Sequence, residues 1–578
     1  MKPLIREYLA SLRERGELDA ILPDLLSEMG FNVYSRPSRG TRQYGVDVAA
    51  IGPSHDNRVY LFSIKQGDLT RATWDSGGAQ DMRRSLNEIR EVYIPTHLPD
   101  AYRGLQVVIC LCFGGDVHEL VRLTVTTYTT ENTTDRISFE EWNGDRIAGF
   151  IESGLLQEGL LTRRMRSSFR KAVAMSDEPD TSFAHFSTLI QALVAVSKGT
   201  SDKERITAAR QICICLSILF VWARDAGNVE SPYLASELAL LSVWHITHDM
   251  FGGTGRSADA VGSIIQQLAE LHFRIWEELI ASKILPHAGE MYAISAAVRS
   301  SSPIDVNLRL FDLLGRIALR GLWLIWGEPE SDTLPAPRRG RVWEPRIDEL
   351  AQRMCALVAA NPALLSPVSD DQVIDLTLAF MFLAAQGGAV NSLKDWITEL
   401  VARARYAFRN HMAYPCIYRD YRDLLDHPKE RTDLHRKAAT AASVLWPTLA
   451  FWTAGLGDTV TLKAISEFSR EYLSHCSFQL WLPDESSEEH IYTDDQNHGA
   501  ALTDIPVTDK PQEILRYVLK ECGAVTPFFH LSAVELGHWP LVAMACRHYR
   551  LPIPPHLWLG LLPGVNGLGD EQAAPSVA

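Results

Sequence analysis

The chain has 578 residues, 46% of them apolar and 22% charged, with a formal net charge of −15. That length exceeds what one hydrophobic core serves, and no long tract is polar enough to stay unfolded, so several folded domains are expected. The negative balance excludes a protein whose whole surface clings to nucleic acid; any such contact has to be local.

Arg6, Glu7, Arg13, Glu14 and Arg15 interrupt the apolar positions that a secretory signal would need. Apolar runs such as 212–223 and 376–385 are shorter than a membrane span and read as buried helices. A cytoplasmic protein without membrane contact is therefore the expectation. The nine cysteines show no CxxC spacing. Cys110 and Cys112 fall in an apolar strand, Cys213 and Cys215 in an apolar helix, so they read as reduced core residues.

In chain order, Leu18, Ile21, Leu22, Leu25, Leu26 and Met29 recur at helical spacing from about Glu17, and Gly30 ends the pattern where a left-handed cap suits glycine. Residues 31–35, 46–51 and 59–65 are short, rich in β-branched and aromatic side chains, and separated by turn residues, which predicts three strands. A helix carrying Met82, Leu86, Ile89 and Val92 follows. The continuous apolar run 105–113 then reads as a strand covered on both faces, closed by Gly114 and Gly115. Residues 137–139 form one more short strand signal before Asn143-Gly144, and Ile147, Phe150 and Ile151 mark the face of a helix. The order is α-β-β-β-α-β, then β-α.

From about residue 157 the pattern is helix after helix: 183–196, 206–223, 258–284, 306–325, 347–359 and 373–400 all repeat at helical spacing. No fixed repeat length emerges, so the prediction is an irregular bundle or solenoid. Residues 335–341 read as a linker, 483–508 as a long, acidic, exposed loop, and the chain from about 570 as a frayed tail. The domain reading is 1–156, an α/β domain, then two helical domains, 157–335 and 342–578, in a large all-α region. Gly252 to Ser257 is glycine-rich but lacks the lysine of a phosphate-binding loop, and reads as an ordinary connection.

The chemistry concentrates in the first domain. Along 61–66 side chains alternate, so Ser63 and Lys65 share a face while Phe62 and Ile64 take the other. Asp47 sits between apolar neighbours in the preceding strand. Burying either charge costs several kcal/mol unless a cation or counter-charge meets it. An Asp and a Lys meeting at a sheet end form a set in which the carboxylate can hold Mg²⁺ and the ammonium can orient water; a structural ion pair at the sheet edge is the alternative.

"GVDVAAIG" followed by "VYLFSIKQ", preceded by "ELDAILPDLLSEMGF", resembles the pattern of Mrr-like restriction endonucleases in the PD-(D/E)xK superfamily. The resemblance covers about the first quarter of the chain and implies a restriction-endonuclease-like fold. It implies Asp47, Lys65 and Ser63 as the catalytic positions; Asp47, Ser63 and the helix residue Asp19, with Glu17 as its neighbour in reserve, as metal ligands; and Mg²⁺ or Mn²⁺ as cofactor. Ser63 departs from the family's acidic or Gln residue two before the lysine, and a hydroxyl is a poorer Mg²⁺ ligand than a carboxylate. Asp19 or Glu28, Asp68 from the following loop, or oxygens of DNA phosphates stand as alternatives to complete the set. "WNGDRIAGFIESGLL" resembles the closing helix of such domains.

Arg71, Arg83 and Arg84 follow the catalytic strand where they can meet phosphate, and Arg163, Arg164, Arg166, Arg170 and Lys171 form a basic run placed to extend a DNA path; a solvated helix face is the alternative for both. Arg338, Arg339, Arg341 and Arg346 form a second basic run. His490 and His498 flank Asp494 and Asp495, a set able to hold a cation, on a stretch that otherwise reads as solvated. By resemblance, the expected function is a metal-dependent DNA endonuclease effector in bacterial defence. Its helical region would regulate it, form a homo-oligomer or dock a companion defence protein. The alternatives are a catalytically degenerate fold that binds DNA or scaffolds such a complex, and a purely helical interaction subunit.

Overall fold

The computed structural model describes residues 2–12, 18–36, 43–53, 55–78, 81–154, 162–197, 199–327, 347–494, 496 and 498–566. The expected linker at 335–341, the basic run from Arg338 to Arg346, Glu17, Asp495 and the tail from 570 lie outside the described residues. Two compact units divide the chain, Met1–Ile275 and Trp276–Ala578.

The first unit begins with α1 (Lys2–Ser11) and α2 (Asp19–Glu28), followed by β1 (Asn32–Ser35), β2 (Val48–Ile51) and β3 (Val59–Lys65). Next come α3 (Arg71–Trp74), α4 (Met82–Glu88) with a π-helical continuation Ile89–His97, β4 (Val107–Phe113), α5 (Glu119–Glu131), β5 (Ile137–Trp142) and α6 (Gly144–Gly154). The sheet runs β1-β2-β3-β4-β5, antiparallel up to β3, with β4 and β5 parallel to it. Parallel neighbours need crossovers, which α3 and α4 supply between β3 and β4, and α5 between β4 and β5. Every position of β3 and β4 is buried because helices cover both faces.

On one face Ala49, Ile51, Leu61, Ile109 and Leu111 share a core with Trp74, Met82, Leu86, Val121 and Val125 from α3, α4 and α5. On the other, Phe62 meets Trp142 edge-on at 4.9 Å, Trp142 meets Phe150 of α6, and Phe31 meets Tyr60. α1 and α2 pack against α6 on that side. The glycine end of α2 forms as its sequence predicts: Gly30 has φ +86°, its N–H reaches Ser27 O, and Phe31 N–H reaches Leu26 O.

Two helices escape the sequence reading. α1 buries Ile5, Tyr8 and Leu9, too few turns for periodicity to stand out. α5 is rich in Thr and Val and buries only Val121, Val125 and Tyr128, so its β-branched composition hides a narrow helical stripe.

The first unit continues with α7 (Arg163–Ala174), α8 (Pro179–Ser197), α9 (Asp202–Asp225), α10 (Glu230–Thr247) and α11 (Arg256–Trp276). α9 is longer than the apolar run that announces it. It is long and apolar enough to cross a membrane by length and composition, and most of it is buried inside the protein. α10 is buried at nearly every position, so it shows almost no amphipathic period, and sequence analysis passes over it.

The second unit is helical but not purely so. Ala442–Ser443 pairs with Ser477–Phe478, and Leu480–Leu482 with Ala500–Leu502, which corrects the expectation of an all-α region. The run 373–400, read as one helix, is two: Val373–Ala384 and Val390–Arg409, joined through Gly387–Ala389 and bent by 116°. Adjacent Gly387 and Gly388 carry no side chain to hold a helix through the bend. The stretch 483–508, read as exposed and solvated, buries Ile491, Tyr492 and His498 and contributes the strand Ala500–Leu502.

Candidate active site

The turn before β2 needs its glycine. Gly45 has φ +81°, and a Cβ there would lie 2.2 Å from the carbonyl oxygen of Ser85 in α4. This close approach seats the turn before β2 against α4. Asp47 N–H then donates to Phe62 O at 2.8 Å, and Ile64 N–H donates to Asp47 Oδ2 at 2.7 Å. The carboxylate thus takes a strand-ladder position, fixed between β2 and β3 at the sheet end. Register pairs Val48 with Phe62, so Asp47 stands one step further along, level with Ser63.

Ser63 and Lys65 continue the face of Leu61 toward that end, the face covered by α3, α4 and α5. Lys65 is only 6% exposed and Ser63 is fully buried. Ser63 Oγ has no hydrogen-bond partner within the protein. The structure therefore gathers Asp47, Ser63 and Lys65 at one sheet end, as their sequence positions suggest.

Asp19 opens α2 and is half-buried. With only Met29 to Phe31 between them, α2 folds back on β1 and β2. However, α2 lies with α6 on the Phe62–Trp142 side, opposite the face of Ser63 and Lys65. Asp19 has to approach around the sheet end rather than across a shared face.

Glu28, weighed as a substitute ligand, is occupied elsewhere. Its carboxylate holds Arg210 of α9 at 2.5 Å and accepts from Thr207, while buried Asp24 lies 3.9 Å from Arg210 and 3.5 Å from Arg36. Burial pushes the Asp24 carboxyl above its ordinary range, against the lowering pull of Arg210. This network clamps α2 to α9.

Asp68 is exposed, and its Oδ1 caps Asp116 N–H at 2.8 Å. Gly115 is tight against that carboxylate, since a Cβ would lie 2.1 Å from Oδ1. Gly115 N–H meets Gly67 O, and Gly144 N–H meets Gly115 O, so the loops after β3 and β4 are stitched together by glycine backbones. Arg6 and Lys2 of α1 reach this rim, pairing with Asp116 and Asp145. Sequence reading missed these two, because α1 itself went unread.

Among the proposed phosphate contacts, Arg71, Arg83 and Arg84 are exposed. Arg83 pairs with Asp75 at 2.5 Å and Arg84 lies 3.6 Å from Glu88. Arg163 and Arg164 are exposed at the start of α7, whose opposite side buries Met165, Phe169, Ala172 and Val173. Thr162 caps this helix by accepting from Met165 N–H. Arg163, Arg164, Arg170 and Lys171 consequently share one solvent-facing arc.

The residues fit a divalent cation in part. Asp47 supplies a carboxylate and Ser63 an unsatisfied hydroxyl, a small set of the kind Mg²⁺ uses when waters and substrate phosphates complete its shell. Among the described residues no group of three or more His, Cys, Asp or Glu side chains is placed to hold a metal ion. A cleft lined by Leu12, Ile21, Cys213, Phe220, Gln267 and Arg274 takes in none of the three site residues.

Known proteins offer no match. Neither a family model, nor a curated protein, nor a solved structure is similar to this chain.

Proposed function

We propose that the chain is a metal-dependent DNA endonuclease whose chemistry is carried by Asp47 and Lys65, with Ser63 beside them. One observation carries the reading: a carboxylate fixed on the β3 backbone one residue before a nearly buried lysine, at the end of the sheet. A carboxylate and an ammonium held together at a largely buried position are uncommon and cluster at functional sites. The buried hydroxyl of Ser63, level with Asp47 in the strand register, has an unmet hydrogen bond.

Mg²⁺ or Mn²⁺, held by Asp47 with Ser63 and Asp19 as further oxygen donors, would supply charge for the phosphodiester oxygens. Lys65 would orient the attacking water and offset negative charge at the phosphate. Arg71, Arg83, Arg84, Arg163 and Arg164 would bind the DNA backbone as local contacts on an acidic protein. In this reading the helical remainder restrains or assembles the nuclease, as a homo-oligomer or with a companion protein, in a cytoplasmic role in defence against foreign DNA.

A second reading, a degenerate nuclease fold that binds DNA without cutting it, draws on Ser63 and on Glu28 being engaged by Arg210. Purified protein incubated with supercoiled and linear DNA and Mg²⁺, Mn²⁺ or EDTA separates the two. Metal-dependent cutting, lost in Asp47→Ala and in Lys65→Ala, supports the nuclease; DNA retention without cutting under every metal supports the binding reading.

A further inference from the structure

The stretch 483–508 encloses two imidazoles that the proposed nuclease chemistry does not use. His490 ends the short helix Ser487–His490, and His498 lies just before the strand Ala500–Leu502. Their ring centroids are 5.9 Å apart with planes inclined by 23°.

Each ring has its Nδ1 engaged by an oxygen. Asp494 Oδ2 is 3.1 Å from His490 Nδ1, and Ser487 Oγ is 3.1 Å from His498 Nδ1. His498 is only 7% exposed, and its Nε2 is buried without any hydrogen-bond partner. An orphaned buried imidazole nitrogen is costly unless something binds it.

We infer that His490 and His498 form a site for one transition-metal ion of the Zn²⁺, Co²⁺ or Ni²⁺ class, bound through their Nε2 atoms. Ligating histidines usually have the remaining ring nitrogen fixed by a carboxylate or another oxygen, as Asp494 and Ser487 do here. Neighbouring rings at this separation suit two ligands of one tetrahedral ion, with waters in the other positions. Imidazole ligands select such ions over Mg²⁺ and Ca²⁺, which prefer oxygen. Asp484 and Asp494 add negative potential around His498. The ion would tie the short helix to the strand Ala500–Leu502.

The test titrates Co²⁺ and Zn²⁺ into the full-length chain carrying Asp47→Ala, which removes the carboxylate of the nuclease site from the signal. The expected result is one ion per chain, with visible Co²⁺ absorption and competition by Zn²⁺. Affinity should fall at least tenfold in His490→Gln, and excess Mg²⁺ should leave the signal in place. His498→Gln should abolish binding; if that buried variant does not fold, the half-exposed His490→Gln decides alone. No stoichiometric binding, or binding unchanged by His490→Gln, overturns the proposal.

Discussion

Asp47 Oδ2 accepts the main-chain N–H of Ile64 at 2.7 Å, so the carboxylate serves the β2–β3 ladder and stands one residue from Lys65. Structure and chemistry at this side chain can be separated. Asp47→Asn keeps an oxygen for the Ile64 N–H, whereas Asp47→Ala leaves that donor unmatched at a cost of about 1–3 kcal/mol. Both should lower metal-dependent cleavage by on the order of a hundredfold or more. Urea unfolding should therefore rank wild type close to Asn and well above Ala, while nuclease assays rank both variants as inactive. An Asn variant that cuts as well as wild type would count against the carboxylate as ligand.

Ser63 offers a complementary case. Its hydroxyl has no partner in the protein, so Ser63→Ala should change stability by no more than about 0.5 kcal/mol, or raise it. If the hydroxyl contributes to the metal site, the variant should need more Mg²⁺ for half-maximal cleavage. Ser63→Glu, with the added carboxylate of the related pattern, should cut faster if it folds. An unaltered Mg²⁺ requirement in Ser63→Ala would remove Ser63 from the ligand set.

Arg210 closes the contact between α2 and α9. Arg210→Met leaves Asp24 and Glu28 without their shared cation in a largely buried setting, and should cost about 3–5 kcal/mol. Combining it with Glu28→Gln should recover part of that loss, because one of the uncompensated charges disappears. A thermal-melting series over the single and double variants gives the answer directly. Equal melting of wild type and Arg210→Met would mean that the network contributes nothing.

Asp370 predicts a pH dependence. Its carboxylate accepts from Val444 N–H at 2.7 Å, Leu445 N–H at 3.2 Å and the Ser443 hydroxyl, yet burial pushes its pKa up to about 6 from 3.8. A raised folded-state pKa contributes stability that is fully present below pH 3.8 and is lost as pH rises through 6. Asp370→Asn has no such titration. The stability difference between wild type and variant should shift in favour of wild type by up to about 3 kcal/mol as pH falls from 8 to 4. Denaturant midpoints at five or six pH values would reveal it, and a constant difference would refute it.

The basic arc of α7 should act through phosphate contacts. Arg163→Ala and Arg164→Ala should each weaken DNA binding about equally for all sequences and reduce the slope of log affinity against log salt by about 1. Fluorescence anisotropy on two unrelated duplexes across a salt series measures both effects. Unchanged slopes would make the arc an ordinary solvated face.

The sequence by itself determined the local chemistry. Alternation in β3 put Ser63 and Lys65 on one face, the residues 18–29 and Gly30 wrote a helix and its cap, and Asp47 was recognisable as a charge between strand residues. These features depend on periods of two or 3.6 residues, which a short window contains in full. Only the tertiary structure decided that the Asp47 carboxylate bonds the β3 backbone and that Glu28 belongs to Arg210, 182 residues away. It also decided that α2, which Asp19 opens, packs with α6 on the other face of the sheet, and that His498 lies buried beside His490. Those outcomes depend on which faces close against one another, and a buried polar atom acquires its partner, or lacks one, only when distant elements exclude water around it.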